Sequence, residues 1–256
     1  MGRLQDKVII VTGATSGIGR VGAKMMAAEG AKVVAAGRRQ EKGDSLIEEI
    51  KAAGGEAIFV KTDVTVDADC DALVQAAIDK YGRIDCVWNN AGSGPMVPFE
   101  KLDFATDYKD MMDVNLRADF YLTQAAIPQM LKQGKGDFIY TTSIGATQGS
   151  IYLQTYSAAK AGTVQLAKGI ALEYGTRGIR ANAIMPGPIR SEMTYEGSDV
   201  ERMFTPMLCA GRIGNPEEVG YLAIFLASDE ARFLTGTAIT IDGGLTTGMY
   251  VFPQLD

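Results

Sequence analysis

The sequence predicts an α/β fold with a doubly wound, seven-stranded parallel sheet between two layers of helices. Short β-branched apolar runs alternate along the chain with amphipathic stretches of helical length, and parallel strands need such crossover helices. The 256 residues are enough for one large domain of this type. No stretch rich in proline, serine or charge divides them. We therefore expect a single three-layer αβα domain that spans residues 1–256.

The first half of the chain carries four strand patterns. The run Lys-Val-Ile-Ile-Val-Thr at residues 7–12 is typical of a buried strand, and the stretch at 17–29 predicts the helix after it. The elements that follow are a strand at 31–36, a charged helix at about 41–53, a strand at 57–61, a helix at 67–81 and a strand at 86–89.

The second half continues the alternation. Ligands of doubly wound sheets bind outside the carboxyl ends of the strands, near the switch in strand order, so we expect functional residues just after the strands. The predicted elements are a long helix near 106–133, a strand at 137–142, a helix across 156–174, and strands at 180–184 and 238–242.

Composition argues against several classes of protein. A net charge of −6 with no basic run is unlike a nucleic-acid surface, since phosphate binding needs clustered cations. No apolar run approaches the roughly 18 residues of a membrane span, and the first residues lack the pattern of a signal peptide. Cys70, Cys86 and Cys209 are far apart and histidine is absent, which argues against a disulfide framework and a metal site. We expect a cytoplasmic protein.

A glycine-rich turn connects the first strand to the first helix. Residues 12–19 read Thr-Gly-Ala-Thr-Ser-Gly-Ile-Gly, and the glycines let the backbone approach a pyrophosphate group closely. The helix that follows offers free N–H groups and the positive end of its dipole. The spacing G-x-x-x-G-x-G differs from the common dinucleotide fingerprint. The expected contacts with a dinucleotide are Gly13, Thr15, Ser16, Gly17, Ile18 and Gly19.

The end of the second strand predicts which nicotinamide cofactor binds. An NAD site usually has an acidic residue there, whereas this chain has Arg38 and Arg39 after Gly37. Arg38 could hold a 2′-phosphate in a bidentate contact, and Ser16 could add a hydroxyl. This favours NADP(H), with NAD(H) as the alternative cofactor. The competing interpretation is that both arginines are ordinary surface cations.

Tyr156 and Lys160 are the candidate chemical groups. They stand four residues apart in Tyr-Ser-Ala-Ala-Lys, so on a helix they share a face, and Ser143 lies thirteen residues upstream. An ammonium close to a phenol favours the phenolate and lowers the phenol pKa. Such a tyrosine can exchange a proton with a carbonyl or alcohol oxygen. An interfacial tyrosine beside a solvated lysine is the ordinary alternative.

The order of these motifs resembles the short-chain dehydrogenase/reductase family, whose members have a Rossmann-type fold. The resemblance covers residues 7–244 and is greatest to the group of 3-oxoacyl-carrier-protein reductases, glucose dehydrogenases and hydroxysteroid dehydrogenases. The motifs that carry it are the glycine turn, Asn-Asn-Ala-Gly at 89–92, Ser143, the Tyr156/Lys160 pair and Pro-Gly at 186–187.

The resemblance implies roles for the catalytic residues. Asn115, in Met-Asp-Val-Asn-Leu, matches the asparagine that helps to hold a water in a proton relay. Ser143 matches the serine that binds the substrate oxygen, and Tyr156 matches the acid–base residue. Lys160 would bind the nicotinamide ribose and lower the tyrosine pKa.

The resemblance also implies further cofactor contacts. Asp63 matches the residue that contacts the adenine, and Asn89 and Gly92 match positions on the adenine–ribose side. Ser191 replaces a threonine that often contacts the nicotinamide amide and keeps its hydroxyl. The other expected cofactor-binding positions are Val64, Ala91, Pro186, Gly187 and Ile189.

Three segments are expected to form the substrate pocket: residues 93–99, residues 145–153 and a substrate loop at about 188–214. Their apolar side chains would suit a mostly apolar ketone or alcohol. Several of them could instead pack on neighbouring helices. The expected pocket residues are Met96, Tyr152, Leu153, Met193 and Phe204.

These inferences predict an NADP(H)-dependent enzyme that reduces a ketone to a secondary alcohol, or catalyses the reverse. A 3-oxoacyl-carrier-protein reductase is the alternative within enzymes, and a non-catalytic nucleotide-sensing protein is the alternative of another class. The resemblance implies a homotetramer or homodimer. The apolar tail at 245–256 would then reach a neighbouring subunit.

Overall fold

Seven parallel strands form one sheet at the centre of the computed structural model, which describes residues 2–192 and 194–248. Their order, β3-β2-β1-β4-β5-β6-β7, reverses direction between β1 and β4. The predicted doubly wound α/β fold is confirmed. The strands are β1 (Val8–Val11), β2 (Lys32–Gly37), β3 (Glu56–Lys61), β4 (Cys86–Asn89), β5 (Gly136–Thr141), β6 (Ile179–Pro186) and β7 (Ala238–Ile241).

Helices cover both faces of the sheet. Neighbouring strand residues point to opposite faces, so Ile10 packs in the core under α3, α5 and α6, and Ile9 packs in the core under α1, α2 and α8. Both cores are apolar, which explains the continuous apolar strand runs. The helices are α1 (Gly17–Ala28), α2 (Gln40–Ala52), α3 (Asp67–Tyr81), α4 (Lys109–Met112), α5 (Ala118–Gln133), α6 (Gln154–Tyr174), α7 (Asp199–Phe204) and α8 (Pro216–Ala227).

The long helix predicted near 106–133 is interrupted. Two π-helical segments, Phe104–Tyr108 and Asp113–Arg117, flank the short helix α4. The side-chain amide of Asn115 donates to the Met111 carbonyl at 3.0 Å. An α-helix would use that carbonyl for the backbone N–H of residue 115, so the side chain competes with regular helix formation. The wide turn therefore coincides with a candidate catalytic residue, as π-bulges often do.

The crossover between β6 and β7 contains two helices, α7 and α8, that the sequence pattern did not predict. The signal for α8 is Asn-Pro-Glu-Glu at residues 215–218, since Asn215 and Glu218 form a capping box around Pro216. Helix α8 packs against α1 and completes the second helical layer. The helical signal was therefore in the cap rather than in the apolar periodicity.

The two ends of the predicted substrate loop lie next to each other. Ile189 and Gly214 form a parallel bridge, so the long excursion between them is anchored at its base. Met193 and residues 249–256 of the predicted tail lie outside the described residues. Within 2–192 and 194–248, no helix combines the length and the apolar character that a membrane span requires.

Candidate active site

A cleft of about 1140 Å³ runs along the carboxyl ends of the strands. Arg38 and Asp63 lie toward one end of it, and Tyr156 and Lys160 line the other. The volume exceeds the range of roughly 300–1000 Å³ that is typical of small-ligand sites, as an extended cofactor beside a substrate would require. The predicted residues that line the cleft are Gly13, Thr15, Ser16, Ile18, Arg38, Arg39, Asp63, Val64, Ala91, Gly92, Leu153, Tyr156, Lys160 and Ser191.

The other predicted residues are not part of this lining. Asn89 and Asn115 are buried, and Met96 and Tyr152 are exposed. The remainder of this group is Gly17, Gly19, Ser143, Pro186, Gly187, Ile189 and Phe204.

The glycine turn forms a cradle at the start of α1. Gly13 and Gly17 have left-handed φ values of 66° and 51°, which favour glycine. A Cβ at Gly19 would stand 2.5 Å from the Gly13 carbonyl oxygen, so that position also needs glycine. Ser16 precedes α1 without capping it through its side chain. The first N–H groups of the helix can therefore bind an anion such as a pyrophosphate.

A polar network that sequence reasoning missed braces this turn. The Thr141 hydroxyl donates to the Asn90 side-chain oxygen at 3.1 Å, and the Asn90 amide donates to the Thr12 carbonyl at 3.1 Å. The fully buried Trp88 indole donates to Thr141 at 2.9 Å. Their positions in the sequence could have predicted this network, because these residues lie at or just after the ends of strands β1, β4 and β5.

Asn89 fits a cofactor site in a different way. Its side-chain nitrogen is buried and has no hydrogen-bond partner among the described residues. An orphaned buried donor is costly, so a bound group is the simplest way to satisfy it. Together with the glycine cradle, this atom fits a bound dinucleotide.

The two arginines after β2 occupy different places. Arg39 donates to the Ser16 hydroxyl at 2.7 Å and to the Thr15 hydroxyl at 3.1 Å. Arg38 is 78 % exposed and lies 4.0 Å from the Asp63 carboxylate. Burial raises the pKa of Asp63, but hydrogen bonds from Thr65 and the Arg38 charge outweigh it and hold that pKa below its ordinary value.

The end of β6 closes the far side of the site. The Gly187 N–H donates to the Ile241 carbonyl at 3.0 Å, so Pro186 and Gly187 join β6 to β7 at this edge. Ser191 lines the cleft, and its hydroxyl shares a hydrogen bond of 2.9 Å with Thr194. Thr194 in turn donates to the Ile189 carbonyl at 2.6 Å. This turn holds Ser191 facing the cleft.

Tyr156, Ser143 and Lys160 converge at the catalytic end. Tyr156 and Lys160 both lie on α6, and the Lys160 ammonium is 5.8 Å from the centre of the tyrosine ring. Ser143 hydrogen-bonds to the tyrosine hydroxyl and accepts from the Gly145 N–H at 3.0 Å. Lys160 is 3 % exposed and donates to the Thr141 carbonyl at 3.0 Å. Two hydroxyls and a buried ammonium therefore share one pocket.

The electrostatics of this cluster differ from the prediction. Burial raises the pKa of Tyr156, and the hydrogen bond from Ser143 lowers it only in part. The predicted lowering by Lys160 is not found, because the ammonium lies over the ring and donates to a backbone carbonyl instead of approaching the hydroxyl. Burial also lowers the pKa of Lys160, and the carboxylate of Asp119 raises it.

Asn115 lies behind the catalytic cluster and is fully buried. Its amide donates to the Ser93 carbonyl at 2.8 Å, and its backbone carbonyl accepts from the Thr163 hydroxyl at 3.1 Å. A Cβ at Gly92 would stand 2.8 Å from the Asn115 side-chain oxygen and 3.3 Å from the Lys160 nitrogen. Gly92 therefore lets Asn115 and Lys160 approach each other.

The predicted pocket segments meet above Tyr156. The Val97 N–H donates to the Tyr152 carbonyl at 2.9 Å, which ties residues 93–99 to residues 145–153. Tyr152 has a left-handed φ of 62°, a strained conformation that is common at functional sites. Leu153 lines the cleft, Met96 and Tyr152 are exposed at its mouth, and Phe204 is half-buried on α7.

Comparison with known proteins gives consistent results. A family model described as enoyl-(acyl carrier protein) reductase matches residues 13–246. The chain is 36% identical over 248 residues to a 2,5-dichloro-2,5-cyclohexadiene-1,4-diol dehydrogenase of Sphingobium indicum, covering 96% of this chain and 99% of that one. It is 37% identical over 244 residues to a 3-oxoacyl-(acyl-carrier-protein) reductase of Thermotoga maritima, covering 95% and 99%.

A solved structure agrees over nearly the whole chain. The crystal structure of a short-chain type dehydrogenase/reductase from Mycobacterium marinum superposes with a TM-score of 0.91 at 31% identity, covering 96% of this chain and 97% of that one.

Proposed function

The chain belongs to the short-chain dehydrogenase/reductase family, and from that premise we propose that it is an NADP(H)-dependent oxidoreductase that interconverts a ketone and a secondary alcohol. Its relatives are dehydrogenases and reductases that act on alcohol or ketone groups. The observation that carries the proposal is that Tyr156 and Lys160 lie at one end of a cleft large enough for a dinucleotide, with Ser143 hydrogen-bonded to the tyrosine hydroxyl.

The residues present fit a nicotinamide dinucleotide. The N–H groups at the start of α1 and the glycine cradle would hold the pyrophosphate, and Asp63 would face the adenine. Arg39, Arg38 and Ser16 would hold a 2′-phosphate. Lys160 would bind the nicotinamide ribose. When bound, NADPH supplies the hydride, and the protein supplies position and charge stabilisation.

The side chains of this cleft can stabilise and protonate a substrate oxygen. Ser143 and Tyr156 both carry a hydroxyl donor for the negative charge that grows on a carbonyl oxygen during reduction. Tyr156 then transfers its phenolic proton to that oxygen. The Lys160 ammonium can then return a proton to the phenolate and be resupplied from the interior, where Asn115 lies beside it across Gly92. In the oxidative direction the same groups accept the alcohol proton.

Isotope transfer tests the proposed reaction. The protein should be mixed with NADPH deuterated at C4 and a panel of cyclic, aliphatic and aromatic ketones, and the products analysed by mass spectrometry. We expect at least one alcohol that carries the deuterium on its carbinol carbon. Tight NADPH binding without transfer to any ketone would contradict the proposal and favour a nucleotide-sensing role.

Charge reversal at the arginines after β2 should change cofactor preference. A carboxylate at position 38 or 39 would repel a 2′-phosphate and accept from a ribose 2′-hydroxyl. We expect Arg38→Glu and Arg39→Glu each to lower the ratio of kcat/KM for NADPH to that for NADH by about ten- to a hundredfold, as the loss of a charged hydrogen bond implies. The larger effect is expected at Arg39, because its guanidinium already contacts Ser16.

Arg232→Glu is the matched control, since Arg232 is exposed and pairs with Asp229 away from the cleft. This variant should keep the wild-type ratio. An unchanged ratio in both Arg38→Glu and Arg39→Glu would show that the cofactor preference was assigned wrongly.

A 3-oxoacyl-(acyl-carrier-protein) reductase is the second candidate. The similarity to the Thermotoga maritima reductase favours it. Docking of an acidic carrier protein needs a basic patch at the entrance, and the exposed Arg177 and Lys132 are the candidates for it. Assay of an acyl-carrier substrate against free ketones of the same chain length separates the two functions.

Assembly and location complete the proposal. We propose a homotetramer or a homodimer, because helices α5 and α6 expose Phe120 and Leu172, the kind of apolar surface that subunit interfaces bury. Sedimentation of the intact chain tests this. A cytoplasmic setting is proposed because Cys70 and Cys86 are buried without forming a disulfide.

A further inference from the structure

Asp119 is a buried carboxyl group that the mechanism above does not use. It lies in the first turn of α5 and is 4 % exposed. Its Oδ2 accepts from the Thr163 hydroxyl on α6 at 2.9 Å. A charged group is costly to bury without close partners, so a carboxyl group in this position calls for an explanation.

Thr163 connects Asp119 to the candidate relay residue Asn115. The fully buried Thr163 hydroxyl lies 2.9 Å from Asp119 Oδ2, 3.1 Å from the Asn115 carbonyl oxygen and 3.4 Å from the Ala159 carbonyl oxygen. A hydroxyl has one proton to donate, so it serves one of these three acceptors well at any moment. The protonation state of Asp119 decides which one.

The two protonation states give two hydrogen-bond arrangements. When Asp119 is ionised, the Thr163 hydroxyl donates to the carboxylate, because charge-assisted hydrogen bonds are stronger than neutral ones. The Asn115 carbonyl then loses that donor and can accept from another group. When Asp119 is protonated, its own proton goes to the Thr163 oxygen, and Thr163 donates to the Asn115 carbonyl.

The charged surroundings of Asp119 make a change of protonation accessible. Burial raises its pKa to about 7, against the effects of the Lys160 ammonium and the Thr163 hydrogen bond. The other titratable group that faces it is Tyr140 on β5, whose hydroxyl hydrogen-bonds with Thr123 at 2.8 Å. Burial raises the pKa of Tyr140 far above neutrality, so Tyr140 stays neutral. Lys160 is therefore the one charge on the described residues that acts on Asp119.

We propose that Asp119 is a positioning residue whose ionisation moves the Thr163 hydroxyl away from the Asn115 carbonyl and so opens that carbonyl to the proton relay behind Lys160. Ionised Asp119 also favours the charged form of Lys160, the form that can return a proton toward Tyr156. Both effects promote proton exchange at the catalytic tyrosine. The inference rests on the proposed function, since it assigns a control on the same proton transfer.

Kinetics against pH test this switch. Wild-type kcat should rise with pH, and the rising limb of its pH profile should have its midpoint near pH 7. Asp119→Asn mimics the protonated state, so its kcat should not rise with pH in this range. Above pH 7 its kcat should be about tenfold lower than that of the wild type, which corresponds to the loss of one ordinary hydrogen bond. Thr163→Val keeps the side-chain shape and cannot block the Asn115 carbonyl, so it should flatten the limb by raising kcat on its acid side. Asp79→Asn, an exposed carboxyl on α3, is the control.

Each variant can overturn the proposal. A uniform loss of activity in Asp119→Asn with the limb retained would reduce Asp119 to a structural role. An unchanged limb in Thr163→Val would show that Asp119 acts on Lys160 by charge alone and that the hydrogen-bond switch is wrong.

Infrared spectroscopy of the cofactor-free protein gives a second readout that needs no turnover. Burial also raises the pKa of Asp137, to about 6, so the Asp119 band is taken from the difference between the spectra of the wild type and Asp119→Asn. That difference band should disappear as pH rises through about 7. Thr163→Val should shift its frequency. If the wild type reduces no ketone but the band titrates as expected, the proposed function fails while the titration of Asp119 stands. A carboxyl group that does not titrate in this range would overturn the inference itself.

Discussion

Tyr156→Phe should lower kcat by a factor of at least about 10²–10⁴, the usual contribution of a general acid–base group, and leave NADPH affinity nearly unchanged. The variant loses the hydroxyl that protonates the substrate oxygen and that hydrogen-bonds with Ser143. It keeps the ring, which lies close to Gly94. A Cβ added at Gly94 would be 3.4 Å from Tyr156 Cδ2. The folded pocket should therefore survive. Steady-state kinetics and a fluorescence titration with NADPH measure the two effects separately.

Tyr174→Phe provides the matched control. Tyr174 lies at the end of the same helix, stacked against Arg177 at 4.2 Å and away from the cleft. Its variant should retain wild-type turnover. If Tyr156→Phe keeps more than about a tenth of the wild-type rate, another group must protonate the substrate, because general acid–base catalysis is worth more than that.

Lys160→Met should damage both catalysis and cofactor binding. The variant removes the ammonium that would return a proton to the phenolate and the nitrogen that would bind the nicotinamide ribose. We expect kcat to fall by a factor of about 10²–10⁴ and the NADPH Kd to rise by at least about tenfold, the value of a charged hydrogen bond. It also leaves Asp119 buried without its cation, so the pKa of Asp119 should rise further above its ordinary range.

Loss of both turnover and NADPH affinity would distinguish the role of Lys160 from that of Tyr156, because Tyr156→Phe should bind NADPH normally. Lys168→Met is the control, because Lys168 is exposed on the same helix and outside the cleft. Normal NADPH affinity in Lys160→Met would remove the ribose contact from the proposal. Normal turnover would remove the role of Lys160 in returning the proton.

Much of the fold could be predicted because the strands are buried on both faces. Strand β4 and helix α3 have the predicted bounds, 86–89 and 67–81, since apolar runs and amphipathic periodicity are clear there. The interruption around Asn115 could not be predicted, because it depends on a side-chain hydrogen bond to the helix backbone. Helix α8 was missed although its capping box at residues 215–218 is visible in the sequence.

The arrangement of the candidate site could be predicted where one short motif contains two of its residues. The spacing of Tyr156 and Lys160 on one helix follows directly from their separation of four residues. The pKa of Tyr156 was predicted wrongly, because burial and the direction of the Lys160 side chain depend on the folded structure. The pair Asp119–Thr163 was missed because 44 residues separate the two, and only the packing of α5 on α6 brings them together.

A crystal structure with NADP⁺ and the alcohol product would show whether Tyr156, Ser143 and Lys160 hold the reacting groups as proposed. We expect the Tyr156 and Ser143 hydroxyls both to hydrogen-bond to the product oxygen, with the nicotinamide C4 facing the carbinol carbon and Lys160 on the ribose. A nicotinamide ring bound far from the Tyr156 hydroxyl, with the pocket segments closed and the alcohol held elsewhere, would contradict this expectation.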